Sequence, residues 1–258
     1  MAHQTHILEA NNLAIGYGNQ EIISNLDFKL PLGELCAIVG INGVGKSTLL
    51  RTLGHLQPML GGTINLGDKA LLEHSNKEIA RQISLVLTEP IASKNLTVAE
   101  LIALGRQPYT NWLGNLTQED KVHVKKCIDD FELTHLKNKK CHQLSDGQLQ
   151  RALVARAMAQ DTPLILLDEP TTHLDLYHKV QILKLLQKLA HSFNKTIVFT
   201  THEIELAIQL CDKMIVLDNA SNPFGNPCEL IEAGHFDRLF PKEMVQFDPK
   251  SGSFKVVK

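Results

Sequence analysis

The sequence predicts an α/β fold built on a mostly parallel sheet, and three observations point there. Short apolar runs at 35–39, 83–87, 164–167, 196–200 and 214–217 have the length of buried strands. Amphipathic segments with helical spacing lie between them, as crossover connections between parallel strands require. The composition agrees: 258 residues, 43% apolar and 21% charged, describe a globular chain and exclude a disordered one or a coiled coil.

The elements follow in order. Residues 7–30 are strand-rich, with apolar and polar residues alternating over 26–30. The run 35–39 ends at Gly40, which suits a buried strand entering a turn. A helix is expected from about 45 to 55, closed by Pro58 and the Gly61-Gly62 pair. A strand at 83–87 comes next. Thr97 and Glu100 form a capping box ahead of an apolar run to Leu104. Thr117 through Asp120 opens another helix, with Val124, Ile128 and Phe131 on one face. Leu149, Leu153 and Ala157 mark a third. The block 74–160 therefore reads as a helical lobe inserted into an α/β chain. A strand at 164–167, an amphipathic helix over 180–190 and strands at 196–200 and 214–217 resume the alternation. The tail from Ser221 is turn-rich, with Pro223, Gly225 and Pro227, and ends in a short strand at 254–257.

Charge and cysteine usage narrow the function. Lys plus Arg is 26 against 28 Asp plus Glu, a net charge of −2, which argues against a nucleic-acid partner. No apolar run approaches the ~18 residues needed to cross a bilayer. The opening Met1-Ala2-His3-Gln4-Thr5-His6 has neither the basic nor the apolar region of a secretory signal. The five cysteines, at 36, 127, 141, 211 and 228, form no Cys-x-x-Cys pair and are expected as buried or idle thiols in a reducing compartment. Twelve histidines are scattered without metal-ligand spacing.

Three motifs carry chemistry. Gly40-Ile41-Asn42-Gly43-Val44-Gly45-Lys46-Ser47-Thr48 fits the G-x-x-x-x-G-K-[ST] pattern between an expected strand and an expected helix. Glycines let backbone N–H groups close on phosphate oxygens, and the helix start adds partial positive charge. Lys46 can reach β/γ-phosphates and the Ser47 hydroxyl can bind Mg²⁺. The apolar strand 164–167 delivers Asp168 and Glu169 at its carboxyl end, where open sheets bind ligands. Asp168 can hold Mg²⁺ through water and Glu169 can activate an attacking water. In isolation this pair equally fits a simple strand-to-loop transition. Leu144-Ser145-Asp146-Gly147-Gln148 places an N-cap serine ahead of a helix whose free N–H groups can meet an anion; alone, it fits an ordinary capped helix.

The order and spacing of these motifs resemble the ATP-binding cassette family, the ATPase subunits of ABC transporters. Residues 144–148 look like its LSGGQ signature. Asp175 resembles its D-loop aspartate, and His202 in Thr200-Thr201-His202 its switch histidine. Tyr17 sits where the family carries an adenine-stacking aromatic, a place a packing tyrosine would equally fill. The resemblance implies a P-loop NTPase core with an N-terminal antiparallel β subdomain and an inserted helical subdomain. The division would be 1–75 and 161–220 as the RecA-like core with its β subdomain, 76–160 as the helical subdomain, and 221–258 as a C-terminal extension. It implies ATP and Mg²⁺ as cofactors, with Ser47, Asp168 and Thr88 on the metal side and Glu169 and His202 catalytic. It implies a second copy of the chain, meeting it head to tail, so that each ATP lies between one phosphate loop and the partner's signature.

Two places depart from the family pattern. Asp146 replaces a usual glycine, and its side chain is expected to turn away from the nucleotide. Thr88-Glu89-Pro90 replaces a usual glutamine after strand 83–87. Thr88 is expected on the metal side, with Glu89 toward a membrane partner; that neither touches metal is the alternative. Two further segments, 97–108 and 168–175, resemble ATPases of importers for iron chelates, haem and cobalamin. They imply a peripheral subunit on the cytoplasmic face of the cell membrane, working with two permease subunits and, indirectly, a substrate-binding protein. The alternatives are a soluble ABC ATPase in assembly or repair and a small-molecule kinase, which would need neither signature nor histidine.

Overall fold

The computed structural model describes residues 6–89, 93–218 and 220–257. The opening residues 1–5 and Pro90 of the segment read above lie outside them.

Two long strands, β1 (His6–Tyr17) and β2 (Gln20–Pro31), pair antiparallel across the two-residue turn Gly18-Asn19. Gly18 takes φ +56°, the left-handed value such a tight hairpin needs. The strand β3 (Leu35–Gly40) follows and is buried throughout. It runs into the phosphate loop and helix α1 (Lys46–Leu53). The expected helix ends here at Gly54, and the glycine pair beyond it starts a strand instead. That strand, β4 (Gly61–Leu66), joins β1 and leads to the short β5 (Lys69–Ala70), completing a sheet in the order β2-β1-β4-β5. Gly62, at φ +79°, explains the use of glycine: a Cβ there would lie 2.2 Å from the Asn12 carbonyl oxygen.

After a capped helix, α2 (Asn76–Gln82), comes β6 (Ile83–Val86). The helices α3 (Val98–Ala103), α4 (Gln118–Asp130) and α5 (Asp146–Ala159) form the helical lobe. The chain returns through β7 (Leu164–Leu167), α6 (Leu176–Phe193), β8 (Thr196–Thr200), α7 (Ile204–Leu210) and β9 (Lys213–Leu217). The short β10 (Phe224–Gly225) ends a six-stranded sheet of order β10-β9-β3-β8-β7-β6, parallel except at β10. The strand β6 pairs with β7 in this sheet although it falls within 76–160, so the helical part of that stretch begins after Val86. The tail is more ordered than its turn residues suggest. It carries α8 (Pro227–Glu232) and a hairpin, β11 (Val245–Asp248) with β12 (Ser253–Val256).

The larger sheet is covered on both faces. Leu35, Ala37 and Val39 of β3 join one core with Ile165 and Leu167, while Cys36 and Ile38 join the other with Leu164 and Leu166. The period of two along each strand sends neighbours to opposite layers, which is why these runs are apolar without alternation. Four of the five cysteines are buried, Cys228 is exposed, and all are free thiols. Burial pushes the Cys127 thiol up to about 11.

A buried ion pair and a close helix approach hold the lobe together. Arg106 Nε donates to Asp120 Oδ1 at 2.8 Å, and its NH1 donates to the Ala159 carbonyl at 2.9 Å. Asp120 also closes the α4 capping box through Thr117. Gly105 lets the backbone pass α5, where a Cβ would sit 2.2 Å from the Arg156 carbonyl oxygen. Arg156 and Gln160 donate to the carbonyls of Leu85 and Ile83, each at 2.9 Å, and so tie α5 to the sheet edge at β6.

Candidate active site

The sharp bend at the end of β3 depends on glycine. Gly40, Gly43 and Gly45 have φ of +152°, +78° and +108°, and a Cβ on Gly40 would lie 2.6 Å from the Leu217 carbonyl oxygen. Asn42 and Gly43 are exposed at the rim of the loop, while Val44 turns inward and is buried. The loop delivers Lys46 to the start of α1. Its ammonium donates to the carbonyls of Gly40 at 2.9 Å and Ile41 at 3.1 Å. Burial holds this ammonium below the usual lysine range, against the opposite pull of the Glu169 and Asp168 carboxylates.

Asp168 is buried at the end of β7 and accepts three hydroxyl hydrogen bonds. Ser47 donates to Oδ1 at 2.9 Å, Thr200 to Oδ1 at 2.7 Å, and Thr88 to Oδ2 at 3.4 Å. The next residue, Glu169, takes φ +48°, a left-handed conformation that costs a non-glycine residue about 1–3 kcal/mol. This turn aims its carboxylate back over the loop. Glu169 N donates to Thr200 Oγ1 at 2.8 Å, so one threonine fixes both acids. Thr172 donates to Glu169 Oε2 at 3.0 Å, and His202 Nε2 contacts Oε1.

A cleft of about 440 Å³ opens over this group, lined among others by Asn42, Gly45, Lys46, Ser47, Glu169 and His202. Tyr17 flanks it at the end of β1, its hydroxyl 3.2 Å from Thr48 Oγ1 and its ring more than half exposed. Beside it, hydroxyl and carboxylate oxygens from Ser47, Thr88 and Asp168 converge, a hard-oxygen set of the kind Mg²⁺ takes.

Residues 144–148 are not part of this cleft. Ser145 caps α5 through Gln148 in a reciprocal pair. Ser145, Gly147 and Gln148 line a separate cleft with Arg151 and His178, and the exposed Asp146 lines a third, with Thr88, Glu89, Asp168 and Glu169. Leu144 packs half-buried against the core. Asp175 caps α6, accepting from His178 N at 2.9 Å. Glu89 forms an ion pair with Arg51 of α1 at 2.6 Å, a link its sequence position did not suggest. Thr200 and Thr172 carry no motif signal of their own beyond the polar pair Thr200-Thr201 that closes the apolar run 197–199.

Comparison with known proteins identifies the family. The family model for the ABC transporter matches residues 23–172. The petrobactin import ATP-binding protein FpuD of Bacillus anthracis is 37% identical over 95% of this chain and 91% of its own length. The ferric enterobactin transport ATP-binding protein FepC of Escherichia coli K12 is 35% identical over 97% of this chain and 93% of its own. A solved structure described as an inward-facing metal-chelate type ABC transporter has a TM-score of 0.80 at 31% identity, covering 91% of this chain and 89% of that one. The chain belongs to the ABC transporter family and is one of its nucleotide-binding ATPase subunits, of the kind that dimerise and work with transmembrane permeases.

Proposed function

We propose that this chain energises the import of an iron chelate. Two copies, bound to two permease subunits on the cytoplasmic face of the membrane, would close head to tail on ATP and reopen after hydrolysis. A substrate-binding protein would deliver the chelate on the other side. The observation that carries the reading is the separation within one chain: the phosphate loop, Glu169 and His202 share one cleft, while the signature residues Ser145, Gly147 and Gln148 face another. A complete site then needs a second copy. The relatives named for petrobactin import and for ferric enterobactin transport support the iron-chelate class.

In this reading Tyr17 offers its ring to the adenine. Gly40, Gly43, Val44, Gly45 and Thr48 present backbone N–H groups to the phosphates, and Asn42 lies at the mouth of the loop. Lys46 leaves the Gly40 and Ile41 carbonyls for β/γ-phosphate oxygens. Ser47, Thr88 and Asp168 would hold Mg²⁺, which neutralises charge on those oxygens. Glu169 takes a proton from a water whose oxygen attacks the γ-phosphorus, while the bond to the β-phosphate oxygen breaks and ADP leaves with that electron pair. His202 holds Glu169 Oε1 on course. From the second copy, Ser145 and the N–H groups of Asp146, Gly147 and Gln148 meet the γ-phosphate, Leu144 seats that turn, and Asp175 meets the facing loop.

The test is purification from detergent-solubilised membranes. The chain is expected to bring a permease pair with it, and a binding protein loaded with a ferric chelate is expected to raise ATP turnover of the complex. Recovery with soluble partners alone, and turnover indifferent to ferric chelates, would favour a soluble assembly ATPase.

A further inference from the structure

The cleft beside the signature contains a residue that the motifs do not account for. His178 lies in the first turn of α6, and its backbone N and its Nδ1 both reach Asp175 Oδ1, at 2.9 Å and 2.8 Å. The same imidazole lies against the signature: a Cβ built on Gly147 would be 3.2 Å from His178 Cδ2 and 3.6 Å from Cγ. The ring therefore touches two elements at once, the loop that ends at Asp175 and the first turn of α5. Its other side lines a cleft of about 220 Å³ with Ser145, Gln148 and Arg151. Tyr177 packs edge-on to the ring at 5.4 Å.

We propose that His178 is a positioning residue that locks the Asp175 loop to the signature turn, so that both meet the second copy as one rigid surface. The inference rests on the head-to-tail reading given above. It follows from the contacts that the Nδ1 bond to Asp175 sets the ring angle, and the ring then limits where Gly147 can sit. A Cβ on Gly147 would crowd the ring and need it to give by a few tenths of an ångström, so the two elements constrain each other where they meet. The bond does not touch the phosphate-loop cleft, which lies on other residues. Losing it should leave single-chain nucleotide binding alone and weaken only what two copies do together.

The experiment measures turnover per chain at saturating Mg-ATP over a range of protein concentrations, beside nucleotide affinity at low concentration. In the wild type, activity per chain should rise with concentration. If it does not, the head-to-tail reading itself fails, and this inference with it. In His178→Ala the half-maximal concentration is expected to rise about tenfold, the scale of a coupled side-chain pair. Single-chain affinity and melting temperature should stay near wild type. His178→Asn, whose amide nitrogen can stand in for Nδ1, should recover much of the loss, and His178→Gln should not. Asp175→Ala combined with His178→Ala should cost no more than the worse single variant. With a concentration-dependent wild type, three results would overturn the proposal: additive losses, equal behaviour of the asparagine and glutamine variants, or a His178→Ala chain indistinguishable from wild type.

Discussion

Lys46 is a buried cation whose hydrogen-bond partners among the described residues are two carbonyls of its own loop. Phosphate oxygens offer it a better partner, since charge-assisted bonds are stronger than neutral ones. Lys46→Ala is therefore expected to weaken ATP binding by about 1.5–3 kcal/mol, roughly 10- to 150-fold, measured by nucleotide titration. Glu169→Gln keeps the side-chain shape and removes the proton acceptor. It should retain ATP and lose turnover by at least ~100-fold. Thr88 and Glu89 part company in the same way. Thr88 reaches Asp168 Oδ2 at 3.4 Å, whereas Glu89 is tied to Arg51. Thr88→Ala should lower Mg²⁺-dependent hydrolysis in the purified subunit. Glu89→Ala should spare it and disturb only permease-stimulated turnover; the reverse pattern would exchange the two roles. The phosphate loop and the Asp168-Glu169 pair are legible because their chemistry is contiguous in the chain. Thr200 is not, because it acts across 31 residues by a hydrogen bond that only the β7–β8 pairing creates.

At the scale of the elements, the helical lobe depends on Arg106 and Asp120. Both side chains are nearly buried, and Asp120 also caps α4. Hydrogen bonds from Thr117 first, and from Arg106, hold the Asp120 carboxyl below its ordinary value. A carboxylate whose folded value is depressed adds stability above its unfolded value, and that contribution disappears as pH falls through the folded one. Asp120→Asn is expected to cost about 3 kcal/mol at pH 7, the scale of breaking a buried pair. The gap from wild type should close below about pH 4, where the unfolded-state aspartate takes up its proton. Thermal melts of both chains across pH 3–7 measure it, and a gap constant over that range would contradict this account. Elements with a strong local signal were legible: the Thr97 and Thr117 capping boxes, and the four- to six-residue apolar strands. The strand β4 was not, because Gly61-Gly62 reads as a helix stop unless β1 lies beside it. Nor was α7, seven residues long, whose start at Glu203 has no side-chain cap.

At the scale of the whole molecule, the head-to-tail proposal gives the chain half of each of two sites. Its phosphate loop and its signature face different clefts, and α5 is tied to the sheet edge by Arg156 and Gln160, so the signature cannot fold over to meet its own loop without breaking those bonds. The sequence pointed to this pairing only through family resemblance; nothing in local spacing says whether 145–148 meets 40–48 of the same chain. The mass in solution of the Glu169→Gln chain, with and without Mg-ATP, tests the claim most directly. Slow hydrolysis should trap the closed state, so the mass should double with Mg-ATP and return when nucleotide is removed, and Ser145→Arg in the same chain should abolish the doubling. A chain that saturates with ATP and keeps the mass of a single copy would contradict it.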